Sequence, residues 1–391
     1  MYFTSAHNKN PYILATSTEE IDTGKRGSDR VLLSVVIMLM MIGLLAVYSA
    51  IAYFAETKGL TAGSLLMSHV IKLIIAFMVL LIFSKIDYHI LLRYSKIALL
   101  MSWVFLLAVI IFGSSTFGAK RSLDIGSFSF QPSSFASVAL LIQVAALLTQ
   151  KQDYIKDFKR SFLPILFWVL ITCGLIGVED YSTAALLLGT CLLLMLVGRI
   201  SILHLGGLII LGILGSFLLF NQNPEREKRI DNYINQVVHI ESAHFALNEG
   251  YQAQQSQIAI ARGEVFGVGM GKSSQRDFLP APYNDFIFSI ITEEYGLIGA
   301  GFILFLYCII LFRGIVYIAK RSLDTAGTLI AVACTLSISL YAFVNAAVAT
   351  GLFPVTGLPM PFVSYGGTSM LFAGSLIGIL LNISKYKRAG T

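Results

Sequence analysis

Apolar residues run in about ten long blocks, at approximately 31–51, 68–84, 97–113, 134–149, 162–178, 181–198, 200–220, 286–312, 326–350 and 362–383. Each comes near the roughly 20 residues that an α-helix needs to cross a bilayer. The pattern predicts an all-α polytopic membrane protein with about ten transmembrane helices. Gly198-Arg199-Ile200-Ser201 leaves almost no turn between the sixth and seventh blocks. One polar segment, 221–285, is too long for a structureless connection in a compact protein. Within it Ser242–Arg262 has helical potential, and Gly263 follows the last basic residue as a C-terminal stop. Short amphipathic helices on the outer membrane surface are expected there. No fixed-period repeat or low-complexity tract interrupts the chain. The organisation is then a cytoplasmic tail 1–30, a membrane core 31–383 that carries the loop 221–285, and a cytoplasmic tail 384–391.

Composition agrees. The 391 residues are 56% hydrophobic and 13% charged, with a mean hydropathy of +0.77, against about a quarter charged in soluble domains. The net charge of +6 raises nucleic acid as a partner, but the basic residues fall in short loops between apolar blocks, where they suit anionic headgroups. No nucleic acid is expected. Cys173, Cys191, Cys308 and Cys334 all lie inside apolar runs without CxxC or histidine spacing, so they read as small packing residues. The six histidines show no metal-ligand spacing.

The polar N-terminus ends in Lys25, Arg26 and Arg30, and the apolar block after it is too long for a cleaved signal. It predicts an uncleaved start-transfer helix in the cytoplasmic membrane, with both termini inside. Counting basic residues supports this orientation: eighteen fall inside and nine outside. Eight of the outer ones sit in two places, Lys120-Arg121 and the segment 221–285 with Arg226, Lys228, Arg229, Arg262, Lys272 and Arg276. Either a long loop simply carries solvated charges, or these cations face an anionic substrate.

Acids inside the apolar blocks stand out, because each costs roughly 2.5–3.5 kcal/mol on insertion scales. Asp285 opens one block, and Glu293 and Glu294 follow about two turns deeper. Asp180, with Ser182 and Thr183 after it, opens another. Asp180 and Asp285 are candidate functional acids, but both also suit the start of a helix, as a cap or a dipole partner. Gly267-Val268-Gly269-Met270-Gly271-Lys272-Ser273 approaches a phosphate loop, one residue short of the required spacing and without a βαβ context. A tight turn fits it better than nucleotide binding. Gly357-Leu358-Pro359-Met360-Pro361-Phe362-Val363-Ser364-Tyr365-Gly366-Gly367 is turn chemistry at the mouth of the last block. It is either a plain interhelical turn or a wall of a polar pocket that uses Ser364 and Tyr365.

Taken in order, Gly118-Ala119-Lys120-Arg121, Gln131-Pro132-Ser133, Asp180 with Thr183, Gly250-Tyr251-Gln252 with Gln255-Ser256, Leu279-Pro280 before Asp285-Phe286-Ile287-Phe288, Glu293-Glu294 and the Pro361–Gly367 turn resemble the SEDS family of cell-shape, elongation, division and sporulation proteins. The resemblance spans nearly all ten blocks. Within the family, Gly269–Arg276 and the Tyr48-Ser49-Ala50 end of the first block resemble the division branch, FtsW, more than the elongation branch, RodA. The resemblance implies a peptidoglycan glycosyltransferase that polymerises lipid II on the outer face of the cytoplasmic membrane at the division septum. A class B penicillin-binding transpeptidase and other divisome proteins would be its partners. It implies Asp285 as the general base, and substrate contacts from Lys120, Arg121, Gln131, Asp180, Thr183, Tyr251, Gln252, Gln255, Ser256, Lys272, Gln275, Arg276, Ser364 and Tyr365. No cofactor is firmly implied; a divalent cation, magnesium or manganese, is a candidate for stabilising the undecaprenyl pyrophosphate leaving group. The family also leaves room for a lipid-linked precursor transporter or a non-catalytic divisome scaffold. Departures matter too. The family usually has glutamate and lysine where this chain has Ser134 and Ser137, and a glutamate and a histidine shortly before the acid where it has Ala281 and Tyr283.

Overall fold

The computed structural model describes residues 27–57, 62–116, 119–125, 128–220, 249–279 and 281–386. The expectations for most of both tails, for 221–248 and for the side chains of Lys120 and Arg121 lie outside the described residues.

The apolar blocks form helices: α1 (Arg30–Thr57), α2 (Ala62–Lys85), α3 (Tyr88–Phe112), α4 (Pro132–Gln150), α5 (Leu163–Glu179), α6 (Tyr181–Val197) and α7 (Ile202–Phe220). After the loop come α8 (Glu249–Gly263), α9 (Ile287–Phe312), α10 (Thr325–Ala349) and α11 (Thr368–Ser384). Among the described residues seven of these are long and apolar enough to cross a membrane, some with short π-helical extensions; α6, α11 and the described part of α7 are apolar but shorter. Helices α4 and α10 are mostly buried and form the centre, whereas α2 and α3 turn much of their surface outward. Ile71, Ile74, Met78 and Ile82 on α2 are exposed, as expected of a face that meets lipid tails.

Close backbone approach sets the packing. Helix α2 lies along α11, where Gly374 and Gly378 leave no room for a side chain: a Cβ would stand 2.5 Å from the carbonyl oxygens of Ala76 and Leu80 respectively. Small residues four apart are how membrane helices come together without a hydrophobic driving force between them. At the end carrying Lys85 and Ser384 the bundle is laced by polar groups. Arg313 donates to Asp29 Oδ2 through Nε (3.1 Å) and Nη2 (2.6 Å). Asp324 caps α10 through Gly327 N–H (2.8 Å) and accepts the Tyr88 hydroxyl (2.9 Å).

One element departs from the all-α expectation. Between α3 and α4 a small antiparallel sheet forms in the order β1-β2-β3, from β1 (Ser114–Thr116), β2 (Ala119–Ile125) and β3 (Phe128–Phe130). Hydropathy windows pass over it because its strands are short and polar. Phe130 ties it to the bundle by packing edge-on against Phe105, 5.7 Å between centroids.

The loop also has structure. Helix α8 ends at Gly263 and packs against α9. Helix α9 is broken at Gly296, whose φ of 68° is left-handed, a conformation that glycine adopts without penalty. The backbone groups freed there are taken by the loop: Leu297 N–H donates to Glu264 O (2.9 Å) and Gly269 N–H to Glu294 O (3.0 Å).

Candidate functional site

The N-termini of α4, α6, α9 and α11 converge on one cavity of about 810 Å³. Its lining includes Gln131 and Ser134 at the start of α4, Asp180 and Thr183 at the start of α6, and Asp285 and Phe286 just before α9. Gly367 and Thr368 at the start of α11 and Gln252 from α8 complete that rim. A helix N-terminus carries roughly half a positive charge on its unpaired N–H groups. Four of them aimed at one space favour an anion there.

The floor is the 357–367 turn, which dips into the bundle. Gly43 on α1 admits it: a Cβ at Gly43 would stand 2.5 Å from Phe362 O. From the other side Tyr307 on α9 donates its hydroxyl to Pro361 O. Gly43 is thirteen residues from Arg30, so the turn lies about 20 Å from that end of α1 at 1.5 Å per residue. Irregular backbone at such depth is tolerated where it is buried in protein or lines a wet cavity, and here it does both.

Asp285 is half-buried in the wall. Its backbone is clamped by Asn345 of α10, whose Nδ2 donates to Asp285 O (2.8 Å) and to Leu358 O (2.8 Å). Asn345 therefore joins the acid to the turn. Beside it, burial and then the neighbouring Tyr365 and Asp285 push the Tyr283 phenol up from its ordinary value. Asp180 has a structural role and a place at the cavity. It caps α6, accepting Thr183 N–H (3.1 Å) and Thr183 Oγ1–H (2.9 Å), while lining the cavity.

Of the other expected site residues, Gln131, Gln252, Ser364 and Tyr365 line the same cavity. Ser364 also holds the turn, its Oγ accepting Met360 N–H (2.8 Å). Tyr251, Gln255, Ser256, Lys272, Gln275 and Arg276 are not in the lining. Ser256 is fully buried and donates to Ala349 O (2.7 Å), joining α8 to α10. Lys272 is exposed on the loop. Gln275 donates its N–H to Glu293 (3.3 Å), and Arg276 donates Nη1 to Ser49 O on α1 (3.0 Å). These residues fasten the loop to the bundle because Glu293 and Glu294 draw it in. Glu293 accepts Ser273 Oγ–H, Ser274 N–H and Gln275 N–H, and Glu294 accepts Ser49 Oγ–H. Neither glutamate faces the cavity.

The serines at the departures are accommodated. Ser134 and Ser137 both line the cavity, and Ser137 Oγ donates to Ser133 O (2.8 Å). Exchanging an acid and a base together for hydroxyls leaves no buried charge unpaired. Sequence reading missed Asn345, Lys72 and Tyr341, the last of which hydrogen-bonds Thr183. For Asn345 and Lys72 the signal was a lone polar residue inside an apolar block. Among the described residues no group of three or more His, Cys, Asp or Glu is placed to hold a metal, and Asp180 is already committed to Thr183.

Comparison with known proteins now decides the lineage. Residues 29–389 match the family model of the FtsW, RodA and SpoVE cell cycle proteins. The chain belongs to this family. Stage V sporulation protein E of Bacillus subtilis (strain 168) is 35% identical over 370 residues, covering 94% of this chain and 99% of the relative. The "probable peptidoglycan glycosyltransferase FtsW" of Trichlorobacter lovleyi is 34% identical over 367 residues, covering 91% and 93%. A chain from a solved peptidoglycan synthase complex superposes with a TM-score of 0.72 at 22% identity, covering 91% of this chain and 97% of that one. Thermus thermophilus RodA does so with a TM-score of 0.66 at 20% identity, covering 91% and 95%. At these identities the two structures establish the shared polytopic helical fold.

Proposed function

We propose that this family member is a peptidoglycan glycan-strand polymerase that uses lipid II at the outer face of the cytoplasmic membrane, with Asp285 as general base. The observation that carries the reading is the cavity: two acids in its wall, Asp180 and an Asp285 whose backbone is clamped by Asn345, four helix N-termini at its rim, and hydroxyl and amide side chains between them. Polymerisation needs those parts. The acceptor sugar hydroxyl attacks the anomeric carbon of the donor and passes its proton to Asp285. The bond from that carbon to the pyrophosphate oxygen breaks, and undecaprenyl pyrophosphate leaves with the electron pair. A positioned base contributes about 10²–10⁴-fold, and the helix N-termini stabilise the charge on the leaving group.

The relatives named probable peptidoglycan glycosyltransferase FtsW support the reaction and the division branch. In this reading the protein works with a class B penicillin-binding transpeptidase at the septum, with both termini cytoplasmic as the distribution of basic residues suggests. The relative named stage V sporulation protein E, at 35% identity, favours a second context for the same chemistry: sporulation. Depletion separates the two, giving filaments in the first case and failed spores in the second.

The test is glycan synthesis from labelled lipid II by the purified protein with its transpeptidase. Asp285→Asn and Asp285→Ala are expected to lose at least a hundredfold in rate. Retained polymerisation in both variants would sink the base assignment. A wild type that makes no glycan with any partner but moves lipid II across proteoliposomes would favour a transporter.

A further inference from the structure

Lys72 has no part in the chemistry above. It lies on α2, thirteen residues or about 20 Å from Lys85, level with the 357–367 turn. A lysine in the middle of an apolar helix is expensive and by default functional. Among the described residues no carboxylate is paired with it. Its Nζ instead donates to the Tyr365 hydroxyl (3.1 Å) and stands 4.2 Å from the centroid of that ring. Tyr365 lines the cavity, whose lining among the described residues holds no Lys, Arg or His. The hydroxyl has Ser68 Oγ as acceptor at 3.4 Å, well beyond the usual 2.5–3.0 Å for O–H···O bonds. Its oxygen is thus loaded by an ammonium while its proton lacks a close acceptor. Behind the ring, His69 is fully buried with both nitrogens unpartnered and stacks on Tyr365 at 5.4 Å. The Gly374 and Gly378 contacts fix α2 in the register that brings this cluster to the turn.

We propose that Lys72, acting through the Tyr365 hydroxyl and backed by His69, forms an anion subsite at Tyr365, where the cavity lining meets α2, that binds the phosphate-bearing end of a polyprenyl-linked ligand. The subsite rests on reading the cavity as a lipid-linked substrate site. A phenol polarised by an ammonium is a stronger donor, and an anionic oxygen displaces the distant Ser68. The exposed apolar face of α2, with Ile71, Ile74, Ile75 and Met78 beside Lys72, leaves the hydrocarbon tail a path along the membrane. A free phosphate gains nothing from that face. Lys72 is a positioning residue, since Tyr365 makes the contact.

The test is displacement of a fluorescent prenyl pyrophosphate from the full-length protein in nanodiscs by undecaprenyl pyrophosphate, inorganic pyrophosphate or undecaprenol. Lys72→Met and Tyr365→Phe are each expected to weaken undecaprenyl pyrophosphate about tenfold, the scale of one charge-assisted hydrogen bond. The double variant should lose no more than either single one, because both break the same chain. Lys72→Arg should restore most of the affinity, and undecaprenol should be unaffected. Unchanged affinity in Tyr365→Phe or Lys72→Met, or equal weakening toward undecaprenol, overturns the subsite. So does inorganic pyrophosphate competing as well as the lipid. If Lys72→Met does not fold, Tyr365→Phe and Lys72→Arg still decide. The same measurement on Asp285→Asn keeps the two readings apart. Lys72-dependent binding by a wild type that makes no glycan removes the polymerase and leaves the subsite; polymerisation with Lys72-independent binding does the reverse.

Discussion

Glu293 is the post to which the outer loop is tied, and removing it should free the loop without emptying the cavity. Its side chain is fully buried and takes hydrogen bonds from Ser273 Oγ, Ser274 N–H (3.2 Å), Ser274 Oγ (3.3 Å) and Gln275 N–H (3.3 Å). Arg262 Nε stands 3.8 Å from it. A hydrogen bond to a charged group contributes about 1.5–3 kcal/mol, and each buried donor left without an acceptor costs about 1–3 kcal/mol. The bonds share one acceptor and are not additive, so Glu293→Ala should raise the free energy of the docked loop by about 3–5 kcal/mol, the range for breaking a buried charged contact. Glu293→Gln keeps the acceptor oxygen and should cost about half as much. Hydrogen exchange reads local opening directly. Protection of the Ser274 and Gln275 amides should fall about a hundredfold or more in Glu293→Ala, while amides in α4 and α10 stay protected. Unchanged protection in the loop, or equal loss throughout the bundle, would refute the assignment of Glu293 as a local anchor.

Other expectations follow from the same geometry. Gly43→Val should push the Phe362 carbonyl away from α1, since even a Cβ would stand 2.5 Å from it; overpacking of this kind costs about 1–3 kcal/mol, and glycan synthesis should fall while membrane insertion persists. Arg313→Ala strands the nearly buried Asp29 carboxylate and should cost about 3 kcal/mol, read as a lower thermal inactivation midpoint that Asp29→Asn partly restores. Burial opposes ionisation of Asp324, but hydrogen bonds from His89, Gly327 N–H and Tyr88, with the His89 charge, hold its carboxyl below the ordinary value. A depressed carboxyl stabilises the fold above its unfolded pKa of about 4, and that contribution is lost as pH falls through the lower folded value. The stability gap between the wild type and Asp324→Asn should therefore be full at neutral pH and close below about pH 4. A gap that does not change with pH would mean the carboxylate is not what holds this joint.

How much of this was legible beforehand follows from the range of each signal. The apolar blocks reported helices because a bilayer demands satisfied backbone over about 20 residues, and that constraint is local. Asp180 and Asp285 were visible as acids where acids are costly. The sheet at Ser114–Phe130 was not, since two of its strands are three residues long and too short to carry periodicity, and the seven-residue β2 holds no apolar block. Lys272 and Arg276 were named from charge and side of the membrane, which are all the sequence offered; it could not show that neither would be in the cavity lining or that Arg276 would reach Ser49 O on α1. Asn345 and Lys72 were single polar residues in apolar blocks, and only packing showed what they touch.

The sequence alone determined the membrane class, the helical segments and the acid that stands at a helix mouth, because hydrophobicity and charge are properties of each residue in place. Tertiary structure decided which helix ends meet. It brought four N-termini separated by up to 236 positions, from Pro132 to Thr368, around one cavity, and it let Gly43, Gly374 and Gly378 bring backbones into contact. Which polar groups become a site and which become fasteners depends on that convergence, and convergence is a long-range property that no window along the chain contains.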